Sequence, residues 1–172
     1  MYREIAAKTL IGKGKLPYMY EKKLNLGDNV SKLLGCWIID LKHECKIENR
    51  RINLVGTYSI QLWYALDNDQ KSSVYEERIS FDEEISMSYR DLDTLDDKMY
   101  VKVYISKYPT CIGMNMSPDK EISLNIAGEF FLDAFQEAIL VVNCSLTNKD
   151  ELTLEEEIMM NVNPNYLMDK KK

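Results

Sequence analysis

Alternation of apolar and polar residues over positions 52–89 is the feature that most constrains the fold. The even positions are mostly apolar from Ile52 to Leu66, and after a polar turn the odd positions are mostly apolar from Tyr75 to Tyr89. Because successive side chains of a strand point to opposite faces, this period of two predicts two long antiparallel strands, each with one buried face. Trp63 is odd-numbered, so we expect it on the face opposite to the core.

Shorter stretches with the same period flank this pair. Trp37, Ile39 and Leu41 alternate on one predicted face, and the apolar alternation resumes in residues 99–105 and 112–116. The tetrapeptide SPDK, with proline at its second position, predicts a turn before a further strand over residues 122–126. The segment EFFLDAFQEA is compatible with either a helical turn or a strand.

Residues 8–26 are predicted to hold one or two strands broken near Gly12 and Gly14. Many short strands separated by turns are typical of a β-sandwich or jelly roll. We therefore predict an all-β chain: an antiparallel β-sandwich or jelly-roll-like domain over residues 1–147.

Residues 148–172 lack the alternation and contain an acidic cluster, which predicts an extended, polar and acidic C-terminal tail. A short apolar motif inside it is a candidate partner-docking peptide, and an inert tail is the alternative. The candidate docking residues are Asn163, Pro164, Tyr166, Leu167 and Met168.

The charge distribution is uneven. A net charge of −6 disfavours nucleic acid as a partner, because such binding normally requires a basic surface. The first 25 residues are nevertheless basic, which indicates either contact with an acidic partner surface, including another copy of the chain, or a solvated strand face. The residues of this candidate basic arm are Arg3, Lys8, Lys13, Lys15, Lys22 and Lys23.

Catalytic motifs are missing from the sequence. The single histidine, His43, has no nearby metal-ligand pattern, and the sequence contains no GxSxG, HExxH or paired CxxC spacing. The four cysteines are expected to be reduced thiols. No apolar run reaches the roughly 18–20 residues of a membrane span, and the N-terminus has no signal-peptide pattern. We therefore predict no catalytic residue, no cofactor, no metal and no membrane insertion.

Aromatic residues on the solvated strand faces are the remaining functional signal. They support three hypotheses: a self-assembling structural scaffold, a carbohydrate-binding β-sandwich module that uses Trp63, Tyr100 and Tyr104 as a platform, and a hydrolase with a carboxylate pair. Aromatic side chains offer large contact areas to another protein while tolerating water. The candidate assembly surface consists of Trp63, Tyr100, Tyr104 and Tyr108.

The sequence resembles the outer spore coat protein E (CotE) family of endospore-forming bacteria. The resembling segments occur in the family's order and cover nearly the whole chain. They are YREI at 2–5, the glycine-lysine segment at 12–15, GCWIID at 35–40, GTYSIQLWYALDNDQKSSVYEERISFDEEISMSYRD at 56–91, LDD at 95–97, SPD at 117–119 and NPNYL at 163–167. The tail departs from the family pattern, because it is shorter, less acidic and ends in three lysines.

The resemblance implies a non-enzymatic morphogenetic protein of the spore coat. It implies synthesis in the mother-cell cytoplasm during sporulation and a final position at the boundary between inner and outer coat. The implied partners are further copies of the chain in a homo-oligomer or lattice, the coat basement-layer protein SpoIVA and other coat proteins that it recruits. It implies no cofactor.

Overall fold

The computed structural model describes residues 2–49, 51–90 and 98–144. Within these ranges every regular element is a strand, and no helix has the length and apolar character needed to cross a membrane. The strands are β1 (Tyr2–Asn25), β2 (Val30–Glu48), β3 (Arg51–Leu66), β4 (Lys71–Ile85), β5 (Met87–Tyr89), β6 (Tyr100–Met116) and β7 (Glu121–Asn143).

The strands form two antiparallel sheets. One has four strands in the order β5-β1-β7-β6, and the other has three in the order β2-β3-β4. Their inner faces share one apolar core, which combines residues of β1 and β7 with residues of β3 and β4. The predicted all-β antiparallel fold is confirmed. Residues 148–172, the predicted tail, lie outside the described ranges.

The chain divides into two compact units. Residues 7–138 form the larger unit, which holds the core and the surfaces analysed below. The smaller unit combines residues 1–6 with residues 139–172. Its described part consists of the first residues of β1 and the last of β7, where Tyr2, Ile139 and Val141 are exposed.

The longest alternating segment folds as its pattern predicts. In β3 the core residues Ile52, Leu54, Tyr58, Ile60 and Leu62 are even-numbered and at most 1% exposed. In β4 the buried residues are odd-numbered: Ile79, Phe81 and Ile85. Both buried faces confirm the period of two.

Irregular pairing changes the predicted face of two strands. In β2 the register with β3 shifts between Ile39 and Lys42, and Asp40 between them has a φ of 54°. Because a bulge inserts an extra residue, the side-chain alternation reverses there. Leu41 therefore packs against the core while Trp37 is 53% exposed, so the prediction that they share a face is wrong. In β6 the register with β7 shifts after Ile105, and Ile105 is 40% exposed although it lies opposite the buried Phe130.

The N-terminal segment is one continuous strand rather than two. The inward positions of β1 change from odd at Ile11 to even at Leu16, so the predicted break is a change of phase within the strand. Gly12 pairs with Tyr89 of β5, and a Cβ at Gly12 would lie 2.7 Å from that ring. The glycine therefore makes room for the ring of Tyr89.

The last two strands are joined by the predicted turn. Lys120 donates its backbone N–H to the carbonyl of Ser117 at 3.0 Å, which closes the SPDK turn. β7 then places Ile122, Leu124 and Ile126 in the core without exposure. The EFFLDAFQEA segment continues the same strand, so the strand alternative is the correct one.

Candidate functional site

The outer face of the four-stranded sheet carries a ladder of aromatic rings on β6 and β7. Tyr100 lies opposite Phe135 and Tyr104 lies opposite Phe131 in the antiparallel register. The rings of Tyr100 and Phe135 are 6.4 Å apart between centroids. Tyr104 and Phe131 are each 39% exposed, so this ladder is available to a partner.

Lysines lie over the rings of this ladder. The Nζ atoms of Lys8, Lys102 and Lys15 lie 4.2, 4.9 and 5.2 Å from the ring centroids of Tyr100, Tyr104 and Phe131, respectively. Ammonium groups at such distances are attracted by the ring faces. We call this surface the lysine–aromatic face, which consists of Lys8, Lys15, Lys102, Tyr100, Tyr104, Phe131 and Phe135.

One carboxylate anchors the lysine–aromatic face. Lys15 Nζ lies 2.7 Å from Glu129 Oε2, and Ser106 Oγ donates to Glu129 Oε1 at 3.0 Å. The hydrogen bonds from Lys15 and then Ser106 lower the pKa of the Glu129 carboxyl below its usual value. This carboxylate therefore stays charged and holds Lys15 beside Phe131.

The outer face of the three-stranded sheet carries a different, uncharged patch. Trp37 is 53% exposed, and Trp63 and Val74 are each 41% exposed. Gly35 lies opposite Trp63, and a Cβ at Gly35 would lie 2.5 Å from the Trp37 ring. The Trp37 ring therefore lies across Gly35, whose backbone pairs with Trp63. We call Trp37, Trp63 and Val74 the tryptophan patch.

The predicted assembly residues are distributed over different surfaces. Trp63 belongs to the tryptophan patch, whereas Tyr100 and Tyr104 belong to the lysine–aromatic face of the other sheet. Tyr108 lies where β6 approaches β2, and its hydroxyl accepts a hydrogen bond from the Leu41 backbone N–H at 3.3 Å. Trp63, Tyr100 and Tyr104 therefore do not form the single platform that the carbohydrate-binding hypothesis requires.

Trp37 is the surface residue for which the alternation pattern predicts the wrong face. The available signal was the glycine two residues earlier, because Gly35 shares a strand face with Trp37 and has no side chain. A large side chain next to such a gap lies flat across it. That arrangement keeps the indole against the sheet even though the residue is on the solvent side.

The candidate basic residues are parts of strand β1 with different surroundings. Lys8 and Lys15 belong to the lysine–aromatic face, and Lys13 lines a shallow groove beside Tyr104. Lys23 lies 4.0 Å from carboxylates of Glu21 and Glu121. Arg3 belongs to the smaller unit.

Lys22 points inward, where it meets β4. Its Nζ lies 2.7 Å from a carboxylate oxygen of Glu77, which also accepts a hydrogen bond from the Tyr75 hydroxyl. Lys22 first and Tyr75 second lower the pKa of the Glu77 carboxyl. Deeper in the core, the hydroxyls of Tyr18 and Tyr58 share a 2.9 Å hydrogen bond. The gap between β1 and β4 is thus lined by paired polar groups.

The free edges of the sheets differ in regularity. β2 and β6 each contain three register shifts along their paired strand, and β6 also contains Pro109. The pairing of β4 with β3 is continuous from Leu66 opposite Lys71 to Ile52 opposite Ile85. Bulges and prolines protect sheet edges against pairing with other chains. β4 lacks both devices.

Among the described residues, the single histidine and two of the cysteines pack within the fold. His43 packs its ring against Phe130, with 6.0 Å between centroids. Cys36, Cys45 and Cys111 are free thiols, and burial raises the pKa of Cys36 to about 12 and that of Cys45 to about 11. Among the described residues, no group of three histidine, cysteine or acidic side chains is placed to hold a metal ion.

The predicted docking peptide belongs to the C-terminal tail. Asn163, Pro164, Tyr166, Leu167 and Met168 all lie outside the described ranges. Their role as a partner-docking segment therefore stays a prediction.

Comparison with known families gives a match over almost the entire chain. The family model for outer spore coat protein E (CotE) matches residues 1–169 of the 172 residues. The comparisons with curated proteins and with solved structures gave no match. The family match agrees with the resemblance of the sequence segments, and the chain belongs to the outer spore coat protein E (CotE) family.

Proposed function

We propose that the protein is a non-enzymatic, self-assembling morphogenetic scaffold that directs outer coat assembly by recruiting other coat proteins. Its family supports a role in the outer spore coat. The observation that carries the proposal is the exposure of aromatic side chains on the outer faces of both sheets. Two chemically different surfaces let one copy contact more than one neighbour, as a scaffold must.

The two faces suit different kinds of contact. The tryptophan patch exposes Trp37, Trp63 and Val74 without a charged group among them, which favours apolar burial against a partner. The lysine–aromatic face combines rings with ammonium groups, which favours a partner with carboxylates. The proposed partners are further copies in a homo-oligomer or lattice, the basement-layer protein SpoIVA and other coat proteins.

The proposed location follows from this role. The protein is made in the mother-cell cytoplasm during sporulation and then takes its place at the boundary between inner and outer coat. There the C-terminal segment from residue 161 to 168 serves as a docking peptide for coat proteins. Such a short peptide loses conformational entropy when it binds, so repetition in a lattice supplies the avidity.

Sedimentation of the purified, reduced protein tests the scaffold. We expect a homo-oligomer at about 10–50 µM, where interfaces of modest area are populated. The tryptophan fluorescence should change on assembly if the tryptophan patch becomes covered. The variant Trp63→Phe shows how much of that signal comes from Trp63. A protein that stays monomeric over this range contradicts self-assembly.

Removal of residues 161–172 tests recruitment separately. We expect an unchanged melting transition of the β-domain together with weaker capture of purified outer coat proteins by the immobilised chain. The matched control replaces only the three C-terminal lysines by alanine, which alters charge and keeps the apolar segment. Equal capture by full-length and truncated chains contradicts the docking role.

A further inference from the structure

We propose that the free edge of β4 pairs antiparallel with β4 of a second copy, so that two three-stranded sheets join into one of six strands. This inference rests on the proposed self-assembly and names the contact that produces it. The edge is long, because β4 covers Lys71–Ile85, and its pairing with β3 is regular over that length. Among the described residues, no strand pairs with its other side.

The edges of β5, β2 and β6 are poorer templates for pairing. β5 spans three residues, Met87–Tyr89, which is too short for a stable contact. β2 and β6 are bulged along their length and approach each other, as the bond from the Leu41 backbone N–H to Tyr108 shows. Because a bulge interrupts the ladder of backbone donors and acceptors, a second chain cannot follow these edges in register. β4 is the regular edge among them.

The charges of β4 complement themselves in one antiparallel register. Glu76 and Arg78 are both exposed on the outer face and two positions apart. In a two-fold pair centred on Glu77, Arg78 of each copy lies opposite Glu76 of the other. The same register places exposed Lys71 opposite Glu83 of the other copy. Opposite charges that face each other across antiparallel strands stabilise the pair, and four such pairs form.

Neighbouring registers lose this complementarity. A two-fold pair centred on Arg78 places the two Arg78 side chains opposite each other, and like charges in that position are destabilising. In the register centred on Glu77, the central carboxylates already have local partners. Each Glu77 accepts hydrogen bonds from Lys22 of its own chain at 2.8 Å and from Tyr75. Of these two registers, the charge pattern favours the one centred on Glu77.

Two single charge reversals, each alone and then mixed, test this register. Glu76→Arg and Arg78→Glu should each weaken dimerisation of the pure variant by about tenfold or more, because two attractive pairs become repulsive. An equimolar mixture of the two variants should associate about as tightly as the unaltered protein. In that mixture positions 76 and 78 are both arginine in one chain and both glutamate in the other. The double variant E76R/R78E should also recover, because it exchanges the partners.

Matched controls carry the same charge changes on the bulged edge. Glu44→Arg and Lys46→Glu alter exposed residues of β2 and should leave association unchanged. Sedimentation velocity at fixed ionic strength measures the dissociation constant, and circular dichroism checks that each variant is folded. If the β4 variants assemble like the unaltered protein, or if mixing and double reversal fail to restore association, the β4 inference is overturned while self-assembly stands. A monomeric unaltered protein overturns both.

Discussion

The two lateral sides of the sandwich differ in the regularity of their strands. On one side the irregular strands β2 and β6 approach each other, and the Leu41 backbone N–H donates to the Tyr108 hydroxyl. On these two strands Cys36, Leu41 and Cys111 are half-buried and pack against the core. On the other side β4 keeps regular alternation, and so does β1 from Leu16 onward. Paired polar groups, such as Lys22 with Glu77, line the gap between them.

This difference shows how one fold can protect one side and leave another open. Bulges turn side chains over the gap and disturb the backbone ladder, so the side of β2 and β6 is closed to further strands. The regular side keeps its backbone groups in register and uses side chains to fill the gap. We therefore expect the regular side to carry more of the stability and the capacity for assembly.

A pair of core truncations gives the largest expected contrast between the sides. Phe81 of β4 is 8% exposed and lies 5.3 Å from the ring of Tyr18 and 6.3 Å from that of Phe130 between centroids. Phe81→Ala should lower the free energy of unfolding by about 3–5 kcal/mol. Leu41→Ala in β2 should lower it by about 1–2 kcal/mol, because Leu41 is only half-buried. Urea unfolding measures both. Equal losses would show that the two sides carry similar packing energy.

The buried tyrosine pair gives the next largest effect. Tyr58→Phe removes one hydroxyl and leaves that of Tyr18 without its partner, at a cost of about 1–3 kcal/mol. The double variant Y18F/Y58F removes both groups and should be nearly as stable as the unaltered protein. A double-mutant cycle by urea unfolding gives the coupling. If the double variant is as unstable as the sum of the singles, the two hydroxyls act independently.

The cysteine thiols on the side of β2 and β6 should contribute less to stability. Cys36→Ala should cost about 1 kcal/mol, because it removes one half-buried sulfur. Burial, together with the neighbouring Cys111 thiol, raises the pKa of Cys36 to about 12, so little thiolate exists near pH 8. Mass spectrometry after iodoacetamide treatment should show Cys36 unmodified until urea unfolds the chain. Rapid modification of the folded protein would place that thiol in solvent.

The ion pair between Lys22 and Glu77 should have the smallest effect on the free energy of unfolding, and this effect should depend on pH. Because the folded-state pKa of Glu77 is lowered, its contribution is present above the ordinary value of 4.5 and is lost as the pH falls through the folded value. Lys22 has a raised pKa, so its contribution is present below 10.5 and is lost at higher pH. Since both groups are partly exposed, Glu77→Gln should cost at most about 1 kcal/mol at neutral pH.

Unfolding free energies of the unaltered and Glu77→Gln proteins at several pH values test this sign. The difference between them should shrink as the pH falls below the ordinary value of 4.5 and through the lowered folded-state pKa of Glu77, because the glutamate then becomes protonated and, like glutamine, uncharged. Glu44→Gln on the exposed side of β2 is the matched control and should show little change. A difference that persists or grows in acid would contradict the proposed ion pair.

Regular strands were predictable and bulged strands were not. In β3 and β4 the pattern of Ile52 to Ile85 identifies the buried face, since alternation is a local property of an extended backbone. In β2 the insertion at Asp40 reverses the pattern, and the sequence carries no apolar signal for it. Trp37 was misplaced for that reason. The continuity of β1 through Gly12 depended on β5, whose pairing is remote in sequence.

The sequence by itself determined the all-β class, the core faces of the two longest alternating strands and the resemblance to the coat protein family. Only the tertiary structure decided which exposed rings share a surface. It separates Trp63 from Tyr100 and Tyr104, places Trp37 and Trp63 together on the outer face of the other sheet, and places lysines of β1 over rings of β6 and β7. The physical reason is that side-chain direction follows from local backbone geometry, whereas the sheet that a strand joins depends on pairing between distant segments.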